Sequence, residues 1–407
     1  MHSCDKISMI VILYEYGMTK ESEDIVMKRL IAAGLALVMT LSLAACKDKS
    51  AKDTESKKET TKEAETLIYN PADYVSLGEY ENIPVTITGD YDTSEAAVKA
   101  YIGDQLDALG YIEDKSADTV KKDSVVNVDY TGLKDGVAFQ GGTATDQKID
   151  VGNNSAADGT TGFIDGFTDG LVGAKVGDTV DCEVTFPEDY SAAELAGQKV
   201  VFRFTVNYIC KKVTADTKLT DEFVKENFNY DTVEEFETAM KEELEENVNS
   251  QKTSDIRSAV ISAVVSNATI KGYPEAIINQ RKEAYLESYT TQYGGYDNFE
   301  AQMKSYGMDM DEFMKEMEDG IKTNLETEMV FGLIADNLGL TLDEDGFKEY
   351  CQNMMLNNGV ESLEQLYGNY GGSSAQGEAY LRRIYVCNKA VEYCVDHVGE
   401  VTIETAQ

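Results

Sequence analysis

Between residues 123 and 210 the chain alternates apolar and polar positions with the period of two that marks half-buried β-strands. One face of these runs is apolar at Val126, Val128 and Tyr130, at Val180, Cys182, Val184 and Phe186, and at Val200, Phe202, Phe204, Val206 and Tyr208. Asp135-Gly136 is a strong signal for a two-residue hairpin turn. In FIDGFTDGL (163–171), apolar side chains recur at helical spacing. The pattern predicts an α+β fold, an antiparallel sheet wrapped on a short helix.

The residues on either side of this region follow the helical period instead. The segment 67–122 is predicted to be extended at first and then helical, with the helix capped by residues 92–95 and ending near Leu109. From 211 to 407 the sequence predicts an all-α region, with Thr232 and Glu235 as a capping box. Its helices are expected at 232–266, 274–289, 297–306, 310–338, 343–357 and 378–398.

The chain carries an export signal near its start. The basic residues of MKR (27–29) precede the apolar run LIAAGLALVMTLSLAAC (30–46), which is short for a membrane span. The sequence predicts a signal peptide over 27–45. LAAC (43–46) resembles the bacterial lipobox, and this resemblance implies that the thiol of Cys46 takes a diacylglyceryl group. A plain signal peptide would leave a cysteine at this position unexplained.

Two segments beside the signal are predicted to have no fold of their own. Residues 1–26 do not fit the signal pattern, and we interpret them as an upstream extension from a misassigned start. Residues 46–66 are rich in Lys, Glu, Thr and Ser and have no apolar period, so we expect a disordered tether.

Charge and residue usage exclude several classes of function. The formal net charge is -38, which argues against binding to nucleic acid and to anionic lipid surfaces. The seven cysteines form no Cys-x-x-Cys pair. Those of the predicted strands and helices, such as Cys182, Cys210, Cys387 and Cys394, are expected to be buried free thiols. Histidine occurs only at His2 and His397, so neither a Ser-His-Asp triad nor a histidine metal site has its residues. Residues 343–346 (DEDG) lack the ligand spacing of a calcium loop and indicate a helix start. No metal or cofactor is expected.

Five motifs occur in a fixed order within the strand-rich region. They are VDYTG (128–132), DGVAFQGG (135–142), GFIDGFTDGLVGAKVGD (162–178), VTFPEDYSAAELAGQ (184–198) and VVFRF (200–204). In this order they resemble the FKBP-type prolyl isomerase domain, and its trigger-factor subfamily most closely. The resemblance assigns residues 123–210 to an isomerase domain. The helices of 211–407 resemble the trigger-factor C-terminal chaperone module.

The resemblance also implies a pocket for a peptide with an X-Pro bond. Its catalytic lining would be Tyr130, Phe139, Phe163, Ile164, Phe167, Tyr190 and Phe202. In the family, the backbone N–H at the position of Ile164 contacts the substrate carbonyl, and the aromatic residue at Phe167 forms the pocket floor. Gln140 and Leu195 are expected beside the substrate.

Three features depart from the family pattern. Gln140 replaces an acidic residue that is frequent in relatives, and Gln147 stands where many carry an aromatic wall. The loop 152–162 is longer than usual, and its Gly, Asn and Ser content suggests mobility.

Taken with the lipobox, the resemblance predicts an isomerase and chaperone for newly exported, unfolded polypeptides. It would be anchored by lipid to the extracytoplasmic face of the cell membrane. The family's ribosome-docking loop, Gly-Phe-Arg-x-Gly-x-x-Pro, has no match in this sequence, so no ribosome docking is expected. Two alternatives stay open: a non-catalytic lipoprotein holdase with a vestigial pocket, and a lipoprotein that binds one surface partner. The methionines from Met240 to Met355 could either fill the helical core or form adaptable client-binding patches.

Overall fold

The computed structural model describes residues 69–371 and 373–405. The chain forms two compact units, one with residues up to Asp90 and from Gln251 onward, the other with Tyr91–Ser250. The predicted upstream extension (1–26), signal peptide (27–45), lipidation site at Cys46 and tether (46–66) lie outside the described residues.

Most strand residues lie within 111–212, and most helical residues follow them. In chain order the strands and helices are β1 (Val75–Ser76), β2 (Val85–Thr88), α1 (Glu95–Leu109), β3 (Tyr111–Glu113), β4 (Val125–Lys134), β5 (Val137–Asp150), β6 (Ser155–Ala156), β7 (Thr179–Thr185), β8 (Lys199–Lys212), α2 (Asp221–Phe228), α3 (Val233–Asn267), β9 (Thr269–Ile270), α4 (Glu275–Gln292), α5 (Tyr296–Ser305), α6 (Met310–Leu338), α7 (Glu344–Asn357), α8 (Leu363–Asn369), α9 (Ser374–Asp396) and β10 (Val401–Glu404). This arrangement confirms the predicted class, a β-sheet region joined to a helical region.

One six-stranded antiparallel sheet dominates the Tyr91–Ser250 unit. Its strands lie in the order β3-β8-β4-β5-β6, and β7 pairs with the other part of β8. Asp135 and Gly136 have φ angles of 51° and 81°, which make the predicted two-residue turn between β4 and β5. The predicted apolar faces of β4, β7 and β8 meet in a single core.

The predicted amphipathic helix at 163–171 is shorter than its sequence pattern indicates. Only Asp169–Leu171 is helical, as one 3-10 turn, and the residues before it form turns. Gly166 has a φ of 84°, a left-handed conformation that a continuing α-helix cannot contain. Phe167 and Leu171 are nevertheless buried against the sheet, so the apolar face of the segment is placed as predicted.

A polar network around the buried Asn127 lies beside an irregularity in β4 immediately before Tyr130. The pairing of β4 with β5 shifts register between Val128 and Tyr130. Asn127 donates from Nδ2 to Asp146 Oδ1 at 2.7 Å, and Asn207 donates from Nδ2 to Asn127 Oδ1 at 2.9 Å. Asn127 is 1% exposed, and because both ends of its amide have partners, the irregularity is compatible with burial.

The other compact unit is a helical bundle to which the segment around residues 69–90 contributes. Strand β1 pairs antiparallel with β9, and β2 pairs parallel with β10. Helix α6 has the bounds that the sequence predicts, and Asp343 caps α7 by accepting the Gly346 N–H at 3.1 Å, so residues 343–346 are the predicted helix start. Sequence reasoning missed the short helix α8 and the pairing of the N-terminal strands.

The sulfur-containing side chains are largely inside. Met317 is 1% exposed and Met303 is also buried, while Met310 and Met314 pack against the same core. These four methionines therefore fill the interior of the bundle. Five free cysteines are buried, as predicted: Cys182, Cys210, Cys351, Cys387 and Cys394. Burial raises the pKa of the Cys387 thiol to about 12.

Within the part of the chain that the structure describes, no helix is both long and apolar enough to span a membrane.

Candidate active site

The candidate site is built around the ring of Phe167. This side chain is 4% exposed, and its ring stacks on that of Phe163 with 4.5 Å between centroids. The rings of Phe202, Phe204 and Tyr130 meet it edge-on at 4.7, 5.0 and 5.3 Å. Offset-stacked and edge-on contacts are the favoured arrangements of aromatic rings, so the cluster is well packed. Phe167 thus lies at the centre of the set, where the resemblance expects the pocket floor.

A second row of rings extends from this cluster to the surface. Phe139 lies 5.8 Å from Phe202 and 6.1 Å from Phe186, and Phe186 lies 4.5 Å from Tyr190, which is exposed. Two glycines, Gly132 and Gly142, make room for the Phe139 ring. A Cβ atom on Gly142 would come within 2.5 Å of that ring, and one on Gly132 would overlap it. The position of Phe139 therefore depends on the absence of side chains beneath it.

Two hydrogen-bonding groups of the cluster remain available. Neither the Tyr130 hydroxyl nor the Ile164 backbone N–H has a hydrogen-bond partner within residues 69–371 and 373–405. Burial raises the pKa of Tyr130, so its hydroxyl keeps its proton at neutral pH. The site thus combines an apolar aromatic surface with two donors for a ligand carbonyl.

The structure brings most predicted site residues together, with one exception. Tyr130, Phe139, Phe163 and Ile164 pack against the core that contains Phe167, Phe202 and Leu195. Gln140 is exposed and lies outside this core. Gln147 is also exposed, and its Nε2 donates to the Thr145 carbonyl at 2.8 Å.

The long loop 152–162 is hydrogen-bonded along its length, although its composition suggests mobility. Strand β6 within it pairs with Ile149 and Asp150 of β5. The Ala156 N–H donates to the Thr161 carbonyl at 2.8 Å, and the Phe163 N–H donates to the Asn154 carbonyl at 2.9 Å. The loop is a closed hairpin that ends at the stacked Phe163.

Sequence reasoning missed four residues that shape the site. Phe186 and Phe204 were placed on buried strand faces, but their part in the ring cluster depends on contacts between strands distant in sequence. Asn154 and Thr168 hold the backbone around Phe163 and Phe167 through side-chain hydrogen bonds. The only sequence signal for Asn154 was its residue type, since Asn favours left-handed turns.

The described residues contain no candidate metal site. In residues 69–371 and 373–405, no three His, Cys, Asp or Glu side chains are grouped so that they could hold a metal ion.

Comparison with known families identifies both regions of the fold. Residues 116–211 match the family described as FKBP-type peptidyl-prolyl cis-trans isomerase. Residues 232–396 match the family described as bacterial trigger factor protein C-terminus. The chain therefore combines an FKBP-type domain with a trigger factor C-terminal domain, in agreement with the motif order.

Several trigger factors are similar to the chain over most of its length. It is 27% identical to the trigger factor of Halothermothrix orenii over 79% of this chain and 72% of that protein. It is 30% identical to trigger factor 1 of Desulfitobacterium hafniense over 72% of this chain and 64% of that protein. A solved trigger factor chaperone aligns with a TM-score of 0.41 and 16% identity, over 79% of this chain and 72% of that one. The assignment rests on the two family matches.

Proposed function

We propose that this chain is a peptidyl-prolyl cis-trans isomerase and folding chaperone for exported polypeptides. The observation that carries the proposal is the aromatic cluster around Phe167 with two free donors, the Tyr130 hydroxyl and the Ile164 N–H. An FKBP-type domain and a trigger factor C-terminal domain in one chain support the combination of the two activities.

The chemistry requires binding rather than a reactive group. An X-Pro bond isomerises slowly because rotation interrupts amide resonance, with a barrier of about 18–20 kcal/mol. A catalyst must bind the twisted amide better than either planar form. An apolar pocket removes water from the amide carbonyl, whose charge separation water stabilises in the planar state. The Ile164 N–H would then hold a neighbouring substrate carbonyl, while the prolyl ring lies on Phe167.

The proposed partners follow from the same features. Clients are unfolded polypeptides with X-Pro bonds, bound as extended segments whose prolyl side chain reaches the aromatic pocket. The lipobox LAAC (43–46) supports anchoring through Cys46 at the extracytoplasmic face of the cell membrane. Export separates the chain from ribosomes, so ribosome docking is not part of the proposal.

The isomerase proposal is tested by proline-limited refolding of an unfolded model protein at low temperature. We expect the full-length chain, kept soluble in mild detergent, to accelerate this phase in proportion to its concentration. Phe167→Leu should lower the acceleration at least about tenfold, equivalent to ~1.4 kcal/mol of transition-state binding. Phe236→Leu is the matched control, since it also removes a fully buried ring but lies in the separate cluster of α2 and α3.

The possible results separate the two candidate activities. Equal losses in both variants would assign the effect to general destabilisation and contradict the pocket assignment. If the unaltered chain suppresses client aggregation but accelerates no refolding, the pocket is vestigial and the chain is a holdase.

The anchor has its own test in the bacterial cell envelope. Cells supplied with a clickable fatty acid should incorporate it into the unaltered chain and not into the Cys46→Ser variant, because the diacylglyceryl group needs the thiol. The unaltered chain should also sediment with membranes. Label of equal intensity in both chains would contradict the assignment of Cys46.

A further inference from the structure

We infer that Asn154, from the long loop 152–162, is a positioning residue that orients the Ile164 N–H toward the substrate. The inference rests on the proposed isomerase function and adds to it a residue supplied by a segment in which this chain departs from the family pattern. The loop would thus help to orient the backbone N–H that the pocket offers to the substrate.

The Asn154 side chain makes three hydrogen bonds at the base of the site. Its Nδ2 donates to the Phe163 carbonyl at 3.1 Å and to the Ile164 carbonyl at 3.0 Å. Its Oδ1 accepts the Thr168 hydroxyl at 3.1 Å. The backbone carbonyl of the same residue accepts the Phe163 N–H at 2.9 Å. One side chain thus binds the backbone carbonyls on both sides of the Ile164 N–H, that of Phe163 and that of Ile164 itself.

The bond to the Phe163 carbonyl bears directly on the Ile164 N–H, because both belong to one peptide group. The peptide group is planar and trans, so its C=O and N–H point in opposite directions. Holding the carbonyl oxygen against Asn154 therefore turns the N–H away from the loop and fixes its direction. A donor at the carbonyl also polarises the peptide group, which strengthens its N–H as a donor.

The same side chain links the two stacked rings. Thr168 is 2% exposed, and its hydroxyl lies 3.2 Å from the Val151 carbonyl as well as within reach of Asn154. Thr168 follows Phe167, and Asn154 holds Phe163, so the 4.5 Å ring contact is braced from the loop. The donor and the pocket floor are therefore positioned by one residue.

Backbone geometry explains why asparagine suits this position. Asn154 has a φ of 50°, in the left-handed region, which Asn and Asp adopt more readily than other residues with side chains. Asn alone combines that tolerance with an amide that donates to two carbonyls and accepts from a hydroxyl. Aspartate keeps the backbone preference and the acceptor but cannot donate when ionised.

The test compares four forms of the full-length chain in detergent: unaltered, Asn154→Asp, Asn154→Gly and Asn153→Gly. Asn153 is the matched control, since within the described residues its side chain hydrogen-bonds only to the Asp150 carboxylate, at 2.8 Å. We expect Asn154→Asp and Asn154→Gly to lower kcat/KM for a prolyl peptide about tenfold, the effect of losing one well-placed donor. Asn153→Gly should stay within about twofold.

An NMR measurement separates positioning from a general structural role. With isoleucine labelled by ¹⁵N, the amide resonance of Ile164 should shift in both Asn154 variants. The resonances of isoleucines outside the site, such as Ile209, should not move. Urea unfolding confirms that each variant is folded. A folded Asn154→Asp chain with unchanged kcat/KM, or with an unshifted Ile164 resonance, would overturn the inference.

Failure of the proposed function would be visible separately. If the unaltered chain accelerates no isomerisation, binding of the prolyl peptide is measured by titration in place of kcat/KM. Weaker binding to Asn154→Asp than to Asn153→Gly would still support the role of Asn154, and equal binding would reject it.

Discussion

Replacing Glu328 with glutamine should lower the free energy of unfolding of the helical unit by about 3–5 kcal/mol. Glu328 lies on α6, is 3% exposed, and is the only carboxylate among the charged groups that meet at this point of the described structure. Its Oε2 accepts from Arg281 Nη2 at 2.6 Å, and its Oε1 accepts from Arg383 Nη1 and from the Tyr69 hydroxyl, both at 2.9 Å.

The size of the effect follows from the two guanidinium groups that would remain. Arg281 and Arg383 are largely buried, and a buried charge without its partner has lost its hydration with no compensation. The aromatic rings beside them compensate only in part: Arg383 lies 4.5 Å from the Tyr69 ring, and Arg281 lies 5.1 Å from the Tyr380 ring. The network joins α4, α6, α9 and the N-terminal segment, so its loss should loosen all four.

Far-UV circular dichroism in urea measures this loss, since helices dominate the signal and the chain has no tryptophan. Glu318→Gln on the same helix is the control. Glu318 is 33% exposed, and its hydrogen bonds to Lys282 and Lys322 lower its pKa to about 2. A solvent-screened pair of this kind contributes at most about 1 kcal/mol. Equal destabilisation by the two substitutions would contradict the importance of burial.

A rescue variant distinguishes charge compensation from hydrogen-bond geometry as the source of this stability. Glu328→Leu combined with Arg281→Met and Arg383→Met removes every charge of the network and keeps the volume apolar. Because no unpaired charge is left, this triple variant should recover most of the stability that Glu328→Gln loses. If it is as unstable as Glu328→Gln, the network contributes through its hydrogen-bond geometry and not through charge compensation.

Local patterns predicted most elements of the fold because each depends on residues close in sequence. The alternation in β4, β7 and β8, the Asp135-Gly136 turn and the bounds of α6 are of this kind. The pairing of β2 with β10 joins segments more than three hundred residues apart, and no local signal marks it. The length of the helix at 163–171 was overestimated because the apolar spacing is helical, whereas Gly166 adopts the left-handed conformation that glycine permits and so interrupts the helix.

The site likewise contains residues that the sequence could predict and residues whose role depends on contacts distant in sequence. Ring positions such as Phe167 and Phe202 followed from motif resemblance, and the structure places them in contact. Asn154 could not be recognised, since its partners depend on how the loop folds back on the sheet. The burial of Glu328 could have been recognised from its position in the sequence. It lies three residues after the buried Leu325 and one before Met329, on the apolar stripe of α6. An acid on such a stripe predicts a buried partner.

Replacing Gly132 with alanine should abolish the proposed isomerase activity and destabilise the sheet unit by about 1–3 kcal/mol. Gly132 is buried on β4, and its φ is not in the left-handed region, so the effect is steric and not conformational. A Cβ atom there would overlap the Phe139 ring and come within 2.9 Å of the Phe202 ring. Both rings must then leave their positions. The pocket wall is lost, and with it the water-free surface that the twisted amide requires.

Gly136→Ala, at the turn of the same β4–β5 hairpin, is the matched control for Gly132→Ala. A Cβ atom on Gly136 would meet no atom of the described residues within 4 Å, and its φ of 81° is what opposes alanine. We expect Gly136→Ala to lower stability by about 1 kcal/mol while leaving catalysis of refolding intact. Adding Phe139→Leu to Gly132→Ala should restore part of the stability, because leucine is smaller than the displaced ring, but it should not restore activity. Activity in the folded Gly132→Ala chain would show that Phe139 is not a wall of the pocket.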